Sequence, residues 1–269
     1  MSKTILITGS TDGIGLEAAK LLAAQGHTLL LHGRNPGKLA AAQETIAAIA
    51  GSGTVEIYTA DLSRLSNVGT LVDEILQNHD HIDVLINNAG ILKTPHTVTE
   101  DGLDVRFAVN TLAPYILARR LLPAMDAASR VVNVSSAAQA PVDHQALSGQ
   151  SRLSDMDAYS QSKLAITMWS RHLAQELGED GPVVVAVNPG SLLASKMVKQ
   201  GFGIAGNDIG IGADILARAA VSDEFSGATG HYYDNDAGRF GPPHPHALDA
   251  QRSAELVLAI EEILRRLQQ

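Results

Sequence analysis

Short apolar runs rich in β-branched residues alternate along the chain with longer segments whose apolar positions recur every three or four residues. The short runs are typical of strands, and the longer segments, with a period close to 3.6, are typical of helices. Strands are predicted at 4–8, 27–31, 55–59, 82–86, 130–134, 183–187 and 231–233. Helices are predicted at 14–25, 36–50, from residue 65 onward, 102–122, 157–178, 207–221 and 247–267, the last being a C-terminal helix.

The regular order of strand and helix determines the predicted fold class. Strand–helix–strand units with parallel strands bury both faces of their sheet under helices and use right-handed crossovers. The chain is therefore predicted to be an α/β protein with a doubly wound parallel sheet and helices on both faces. It contains no linker, composition break or repeat, so residues 1–269 are predicted to form a single domain. The Gly- and Pro-rich segments 199–212 and 238–246 are interpreted as loops.

Composition and charge exclude several kinds of function. Hydrophobic residues make up 45% of the chain, which is enough for a substantial core. The formal charge of −9 disfavours a nucleic-acid or anionic-membrane surface, because such surfaces need a concentrated basic face. The absence of cysteine excludes disulfides, zinc–thiolate sites and thiol nucleophiles. The first apolar run is too short for a signal peptide and no stretch approaches a membrane span, so a cytoplasmic location is expected.

A glycine-rich stretch joins the first predicted strand to the first predicted helix. Gly9 permits a tight turn, Gly13 lets the backbone approach a ligand, and Gly15 lets helix and strand pack closely. In a doubly wound sheet this position is where a dinucleotide pyrophosphate binds, at the N-terminus of the helix. The alternative interpretation is an ordinary strand–helix turn.

Four further motifs follow the TGxxxGxG pattern in the chain: Asp61-Leu62 after the third strand, NNAG at 87–90 after the fourth, Asn110, and YSQSK at 159–163. With these motifs the chain resembles the short-chain dehydrogenase/reductase family over roughly residues 3–235. The stretch TEDGLDVRFAVNTLAP and a long excursion at 137–157 resemble the retinol-dehydrogenase-like branch. The resemblance implies a Rossmann-type fold, a nicotinamide cofactor and a Ser-Tyr-Lys centre assisted by an Asn.

The candidate catalytic residues are Asn110, Ser136, Tyr159 and Lys163. Tyr159 and Lys163 are four residues apart in a predicted helix, so they share one face, and a neighbouring cation is expected to lower the pKa of the phenol. A surface pair at a common spacing is the alternative. Strand 130–134 runs directly into Ser135 and Ser136, and the resemblance assigns the contact with the substrate oxygen to Ser136, whereas Ser135 could be buried in the strand end.

Asn110 is a polar residue in an otherwise apolar helical stretch, where Asn is a poor helix former. The resemblance implies that Asn110 distorts the helix and holds a water that links Lys163 to solvent as a proton relay. A buried Asn whose hydrogen bonds are satisfied by the backbone is the alternative.

Cofactor choice depends on the end of the second strand, where Gly33 and Arg34 stand instead of an acidic residue. A 2′-phosphate needs a cation, so NADP is predicted rather than NAD, with Arg34 binding the phosphate. Arg34 could instead stack on adenine or face solvent, and the Asp12 carboxylate would repel a phosphate. The resemblance assigns cofactor contacts to the glycine loop (Gly9, Ser10, Thr11, Asp12, Gly13, Ile14), the adenine side (Asp61, Leu62), the ribose side (Asn87, Ala89, Gly90, Tyr159, Lys163) and the nicotinamide (Pro189, Gly190).

Two segments, 137–157 and 191–212, are predicted to form loops on the substrate side. Family members often carry a Thr after the Pro-Gly pair that binds the nicotinamide amide, and here Ala194 and Ser195 occupy that region. No metal site is predicted, because the histidines at 144, 244 and 246 lack a nearby carboxylate pair. The stretch from Asp234 to Asp236 lacks the Gly and Glu spacing of a calcium loop.

The predicted function is an NADP-dependent oxidoreductase that transfers hydride between nicotinamide and a small-molecule alcohol or carbonyl compound, with Tyr159 as acid and base. A non-catalytic NAD(P)-binding redox sensor or scaffold is the alternative, although such proteins commonly lose the acid/base residue. An epimerase or dehydratase would carry a larger C-terminal substrate region than the 34 residues after Asn235. The resemblance also implies a homodimer or homotetramer formed through helices 102–122 and 157–178.

Overall fold

One sheet organises the chain, and the computed structural model describes it within residues 2–267. The strand order is β3-β2-β1-β4-β5-β6-β7-β8, parallel through β7, with β8 antiparallel to β7. The strands are β1 Thr4–Ile7, β2 Thr28–Gly33, β3 Val55–Thr59, β4 Val84–Asn87, β5 Arg130–Val134, β6 Val183–Asn188, β7 Tyr232–Asp234 and β8 Arg239–Gly241. Chain order reverses beside β1, so the crevice at its carboxyl end is where such sheets bind ligands.

Helices connect the strands and cover both faces of the sheet. They are α1 Gly13–Ala23, α2 Pro36–Ala47, α3 Leu65–Asn78, α4 Val105–Phe107, α5 Ala113–Leu121, α6 His144–Leu147, α7 Asp155–Leu177, α8 Lys196–Phe202, α9 Ile209–Val221, α10 Pro245–Leu248 and α11 Ala250–Leu267. A π-helical stretch, Ala108–Leu112, joins α4 to α5. No helix among residues 2–267 is long and apolar enough to span a membrane.

Alternate residues of each central strand enter two separate cores. Leu6, Leu85 and Val131 pack with α3, α5, α7 and α11 on one face. Ile7 and Ile86 point the other way and pack with α1, α2 and α9. Burial on both faces explains why these strands are continuous apolar runs in the sequence. The predicted doubly wound α/β architecture is confirmed.

The edge after β7 differs from the prediction, because the sheet is not wholly parallel. Segment 238–246, predicted to be a loop, contains β8, which pairs antiparallel with β7. Gly238 has a φ of +64°, which suits the turn that reverses the chain. Phe240 then packs edge-on against Phe225 and Tyr233. Segment 199–212 is likewise partly helical, since α8 ends and α9 begins within it.

His32 links β2 to the glycine loop from inside the protein. The Gly9 amide donates to its Nδ1 over 3.3 Å, and its Nε2 lies 3.1 Å from the Ala60 carbonyl oxygen. Nδ1 must therefore be the acceptor and Nε2 the donor. Burial lowers the pKa of His32 to about 4, because the charged ring would lose both its hydration and the Gly9 bond.

We expect the His32 pKa to make folding sensitive to acid. The unfolded chain takes up a proton near pH 6.5 and the folded chain only near pH 4, so stability present above pH 6.5 is lost as the pH falls between these values. The free energy of unfolding should fall by about 3 kcal/mol from this group alone. Urea unfolding at pH 7 and 4 would measure it. His32→Asn, which keeps an acceptor for Gly9, should lose correspondingly less, and an equal loss in both proteins would contradict the assignment.

The C-terminal helix α11 packs along α7 and reaches α5. Its buried stripe includes Leu256, Ile260 and Ile263, which join the core formed by α3, α5 and α7. Glu261 accepts a 2.9 Å hydrogen bond from the Tyr115 hydroxyl on α5. Part of the surface through which the resemblance implied assembly is therefore occupied by the chain's own helix.

Candidate active site

The glycine loop after β1 is packed too closely for side chains. Gly9 has a φ of +68°, and a Cβ there would lie 2.9 Å from the Cα of Ala89. A Cβ on Gly15 would lie 2.5 Å from the Gly9 carbonyl oxygen and 2.4 Å from Nδ2 of Asn88. Gly13 has a φ of +59°, and a Cβ there would make only an ordinary contact with Ile209 at 3.9 Å. The loop therefore needs glycine for backbone conformation at 9 and 13 and for close approach at 9 and 15.

Asn88 holds this loop against the end of β4. Its Nδ2 donates to the carbonyl oxygens of Thr8 at 2.9 Å and Gly9 at 3.1 Å. The amides of Asn88 and Ala89 both donate to the Thr8 hydroxyl over 3.0 Å. Sequence reasoning gave Asn88 no role, although it lies within the NNAG motif. These bonds couple the glycine loop to the NNAG segment.

The N-terminus of α1 opens on this crevice and is capped by Asp12. The Asp12 carboxylate accepts from the Gly13 amide over 2.9 Å and pairs with Lys196. Burial alone would raise the pKa of Asp12, but the hydrogen bonds from Lys196 and Gly13 lower it below its ordinary value. Its negative charge is thus matched by Lys196, which reduces the repulsion that the sequence predicted toward a bound phosphate.

Tyr159 and Ser136 face one another across the carboxyl end of the sheet. Ser136 follows β5, Tyr159 lies in the second turn of α7, and the Ser136 hydroxyl is close enough to the phenol to influence its pKa. Burial raises the pKa of the Tyr159 phenol, while the Ser136 hydroxyl lowers it in part. Ser135 instead bonds to the Lys163 carbonyl oxygen at 3.0 Å and to Thr167 at 2.7 Å. Of the two serines, Ser136 is thus the one directed toward the phenol.

Lys163 lies behind Tyr159 and is only 3% exposed. Its Nζ donates to the Val134 carbonyl oxygen over 2.7 Å and lies 5.8 Å from the centre of the Tyr159 ring. Burial lowers the pKa of Lys163 to about 8. The sequence-based expectation that the cation lowers the pKa of the phenol is not met in the protein alone. Desolvation dominates at Tyr159, because the ammonium is directed toward a backbone carbonyl.

Asn110 lies in the π-helical stretch between α4 and α5 and is fully buried. Its Oδ1 accepts from the Ile91 amide at 2.9 Å, and its Nδ2 donates to the Ile91 carbonyl oxygen and to the Ser162 hydroxyl, both at 3.0 Å. Ser162 in turn donates to the Tyr159 carbonyl oxygen over 2.7 Å. The helix is distorted at Asn110, and the side chain joins the segment after NNAG to the helix that carries the phenol.

Gly90 lies between these groups. A Cβ on Gly90 would be 3.5 Å from both the Asn110 Oδ1 and the Lys163 Nζ. The structure therefore brings Gly90, Asn110, Ser136, Tyr159 and Lys163 together around one crevice, at the edge where β4 and β5 end.

Several of the remaining predicted cofactor residues direct their side chains into the protein. Ser10, Leu62 and Asn87 are buried, and their side chains serve the fold: Ser10 bonds to the His32 backbone, Leu62 joins the core, and Asn87 donates to Asn133 over 2.8 Å. Asp61 bonds to the Ser63 hydroxyl and amide. A cofactor contact from Ser10, Leu62 or Asn87 would come from backbone atoms.

Arg34 lies just past Gly33, the last residue of β2, and is exposed. A Cβ on Gly33 would meet the Thr11 side chain at 2.5 Å, so a larger residue there would displace Thr11. Ala89 and Gly90 are partly exposed at the crevice, as are Thr11, Gly13 and Ile14. Pro189 and Gly190 directly follow β6, and Gly190 has a φ of +120°.

A cavity of about 310 Å³ lies beside the N-terminus of α1. Its lining includes Asp12, Gly13, Ser195, Lys196 and Lys199, so the glycine loop and segment 191–212 face each other across it. The Ser195 hydroxyl accepts a 3.2 Å hydrogen bond from the Val198 amide and caps α8. This hydroxyl occupies the region where family members often carry a Thr that binds the nicotinamide amide, and here it already has a partner within the chain. Segment 137–157 is not irregular throughout, since it contains α6 and the first turn of α7.

The crevice suits a dinucleotide. It combines a helix N-terminus with a glycine loop at the end of β1, where a pyrophosphate would need them, and an exposed arginine follows β2. Within residues 2–267, no group of three His, Asp or Glu side chains lies close enough to hold a metal ion.

Comparison with known proteins gives one consistent result. A family model described as short chain dehydrogenase matches residues 3–202. Human retinol dehydrogenase 13 is 31% identical over 98% of this chain and 82% of its own length.

Solved structures agree with this. The crystal structure of an uncharacterized protein from Mycobacterium Paratuberculosis superposes with a TM-score of 0.80 at 30% identity, covering 98% of this chain and 93% of the other. The landomycin C-6 ketoreductase LanV, with bound NADP and rabelomycin, has a TM-score of 0.69 at 27% identity, covering 88% and 95%.

Proposed function

Because this chain belongs to the short-chain dehydrogenase/reductase family, in its retinol-dehydrogenase-like branch, we propose that it reduces a ketone or aldehyde with NADPH. The observation that carries this proposal is the pair of hydroxyls, Ser136 and Tyr159, facing one another in front of the buried Lys163. The activity common to the family is hydride transfer with NAD(P).

The chain's own residues supply a place for the cofactor. The glycine loop and the N-terminus of α1 would hold the pyrophosphate, Arg34 the 2′-phosphate, and Pro189 and Gly190 the nicotinamide side. When bound, the nicotinamide supplies the hydride in reduction or accepts it in oxidation.

The proton comes from Tyr159. Burial raises its pKa, so the phenol is protonated at neutral pH, which is the form that can give a proton to a carbonyl oxygen. Ser136 accepts a 3.1 Å hydrogen bond from the Ala138 amide, which leaves its own hydroxyl proton free to donate to the same oxygen. This arrangement supports the reducing direction, because the developing charge on oxygen meets two hydroxyl donors.

Lys163 and Asn110 support the phenol from behind. With a pKa of about 8, Lys163 is mostly charged at neutral pH and stabilises a transient phenolate once the proton has left. Asn110 anchors the backbone of Tyr159 through Ser162, and Lys163 would also hold the nicotinamide ribose. A water held at Asn110 would return the proton from solvent through Lys163.

The function is tested by titrating the protein with NADPH and NADH, followed by fluorescence, and then adding a panel of ketones and aldehydes while absorbance at 340 nm is recorded. Loss of absorbance with at least one carbonyl compound is expected. Tight NADPH binding with no turnover of any compound would instead favour a redox sensor or scaffold.

Replacing Arg34 by Ala is expected to weaken NADPH binding about tenfold or more, because a guanidinium–phosphate contact is a charge-assisted hydrogen bond. NADH binding should change little, since NADH lacks the 2′-phosphate. Fluorescence titration of both cofactors measures the selectivity. Arg252→Ala, which removes an exposed arginine on α11, serves as the matched control. Equal weakening of both cofactors by Arg34→Ala would remove Arg34 as the 2′-phosphate ligand.

We further propose a cytoplasmic protein that acts on a small-molecule substrate as a homodimer or homotetramer. Because α11 packs on α7 and α5, such an assembly would use a surface that includes α11 or lies away from these helices. Light scattering after size-exclusion chromatography measures the assembly directly.

A further inference from the structure

Three polar residues at the end of β7 have no role in the function proposed above: Asp234, Asn235 and Asp236. Asp234 ends β7 and pairs in register with Asn188, the last residue of β6. The turn 234–236 is therefore placed beside segment 188–191, which contains the Pro-Gly pair.

Asp236 holds this segment with both carboxylate oxygens. Oδ1 accepts from the Ser191 amide at 2.7 Å. Oδ2 accepts from the Ser191 hydroxyl at 2.6 Å and from Asn188 Nδ2 at 2.9 Å. Burial would raise the pKa of Asp236, but the bonds from Ser191 and Asn188 lower it, so the carboxylate stays charged at neutral pH.

The other two residues of the turn complete the attachment. Asn235 Nδ2 donates to the Pro189 carbonyl oxygen at 2.9 Å, and its amide donates to the Asn188 carbonyl oxygen at 3.2 Å. Asp234 Oδ1 accepts from Asn188 Nδ2 at 2.9 Å. Donors from this chain already occupy the carboxylates. We therefore interpret the cluster as an attachment of segment 188–191 to turn 234–236 and not as a cation site.

Segment 188–192, which includes the residues bound by turn 234–236, has unusual backbone conformations. Gly190 has a φ of +120°, and Leu192 has a φ of +53° although it carries a side chain. Among the described residues Leu192 is the one non-glycine with positive φ. Such conformations cost free energy and persist only where the surrounding structure imposes them. The hydrogen bonds of turn 234–236 constrain the residues on both sides of Gly190, and the Leu192 carbonyl oxygen accepts from the Asn207 amide at 2.7 Å.

We propose that Asp236 is a positioning residue that fixes Pro189, Gly190 and Ser191 against the nicotinamide half of the cofactor, an inference that rests on the proposed function. The adenosine half binds at the other side of the sheet reversal, near Arg34 and the glycine loop. Asp236 therefore affects one half of the dinucleotide and not the other.

The test compares NADPH with adenosine 2′,5′-bisphosphate, which carries the 2′-phosphate but no nicotinamide. For Asp236→Ala, the Kd of NADPH should rise about tenfold, the scale of one charge-assisted hydrogen bond, while the Kd of the bisphosphate stays within about twofold. A structural defect would weaken both ligands. Asp180→Ala, at an exposed site after α7, is the control and should leave both Kd values unchanged.

Ser191→Ala is the milder second variant, because it removes the hydroxyl bond and keeps the amide bond. It should shift the NADPH Kd in the same direction by less, and it decides the matter if Asp236→Ala does not fold. The inference is overturned if the decisive variant binds NADPH like the wild type or loses both ligands equally. A wild-type protein that binds neither ligand would overturn the proposed function itself, which is a distinguishable result.

Discussion

Replacing Tyr159 by Phe should lower kcat for carbonyl reduction by about 10²- to 10⁴-fold, the range observed when a general acid is removed. The variant keeps the aromatic ring and removes only the hydroxyl, which faces Ser136. NADPH binding and the unfolding midpoint should therefore stay close to those of the wild type. Steady-state assay at saturating NADPH and fluorescence titration measure the two quantities separately.

Tyr58→Phe is the matched control for this prediction. Tyr58 lies on β3 at the edge of the sheet, where its hydroxyl bonds to His79 over 2.9 Å. Its removal should leave kcat unchanged. If Tyr159→Phe kept more than about a tenth of the wild-type turnover, Tyr159 would not be the proton donor and the enzymatic proposal would lose its central group.

Replacing Arg106 by Leu is expected to destabilise the fold by about 3–5 kcal/mol, because a buried carboxylate would lose its partner. Arg106 is 1% exposed and donates to both oxygens of Asp104, at 2.8 and 2.6 Å. It also pairs with Asp155 in the first turn of α7 and donates to the Leu92 carbonyl oxygen. Urea unfolding measures the loss of stability.

Two further variants define the origin of that loss. Adding Asp104→Asn to Arg106→Leu should recover part of the stability, because the buried charge is then removed together with its partner. Arg120→Leu breaks the exposed Arg120–Asp73 pair and should cost under about 1 kcal/mol. A loss below about 1 kcal/mol for Arg106→Leu would mean that Asp104 is readily solvated.

Continuous apolar runs predicted most of the strands, because the parallel strands are buried on both faces of the sheet. Strands β3 and β5 match their predicted bounds. Strand β2 extends two residues further than predicted. His32 and Gly33 are not typical strand residues, but they belong to β2 because they pair with Tyr58 and Thr59 of β3. Strand β8 was missed, because three residues within a Gly- and Pro-rich stretch carry no periodic signal.

The candidate site could be predicted only where its residues belong to local motifs. The relation between Tyr159 and Lys163 follows from helical spacing, and the glycine loop follows from its position between strand and helix. The bond between Ser191 and Asp236 joins residues 45 apart. That separation has no sequence signature, since it depends on the pairing of β6 with β7. The direction of the Tyr159 pKa shift also needed the structure, because burial outweighs a nearby charge.

The packing of α11 against α7 lies within one molecule. This intramolecular contact affects how the protein responds to dilution. In an assembly, a supporting contact of this kind is lost when protomers separate, and its formation costs translational freedom. Here the covalent chain keeps α11 beside the helix that carries Tyr159 and Lys163. The integrity of the crevice is therefore independent of protein concentration, as far as this contact supports it.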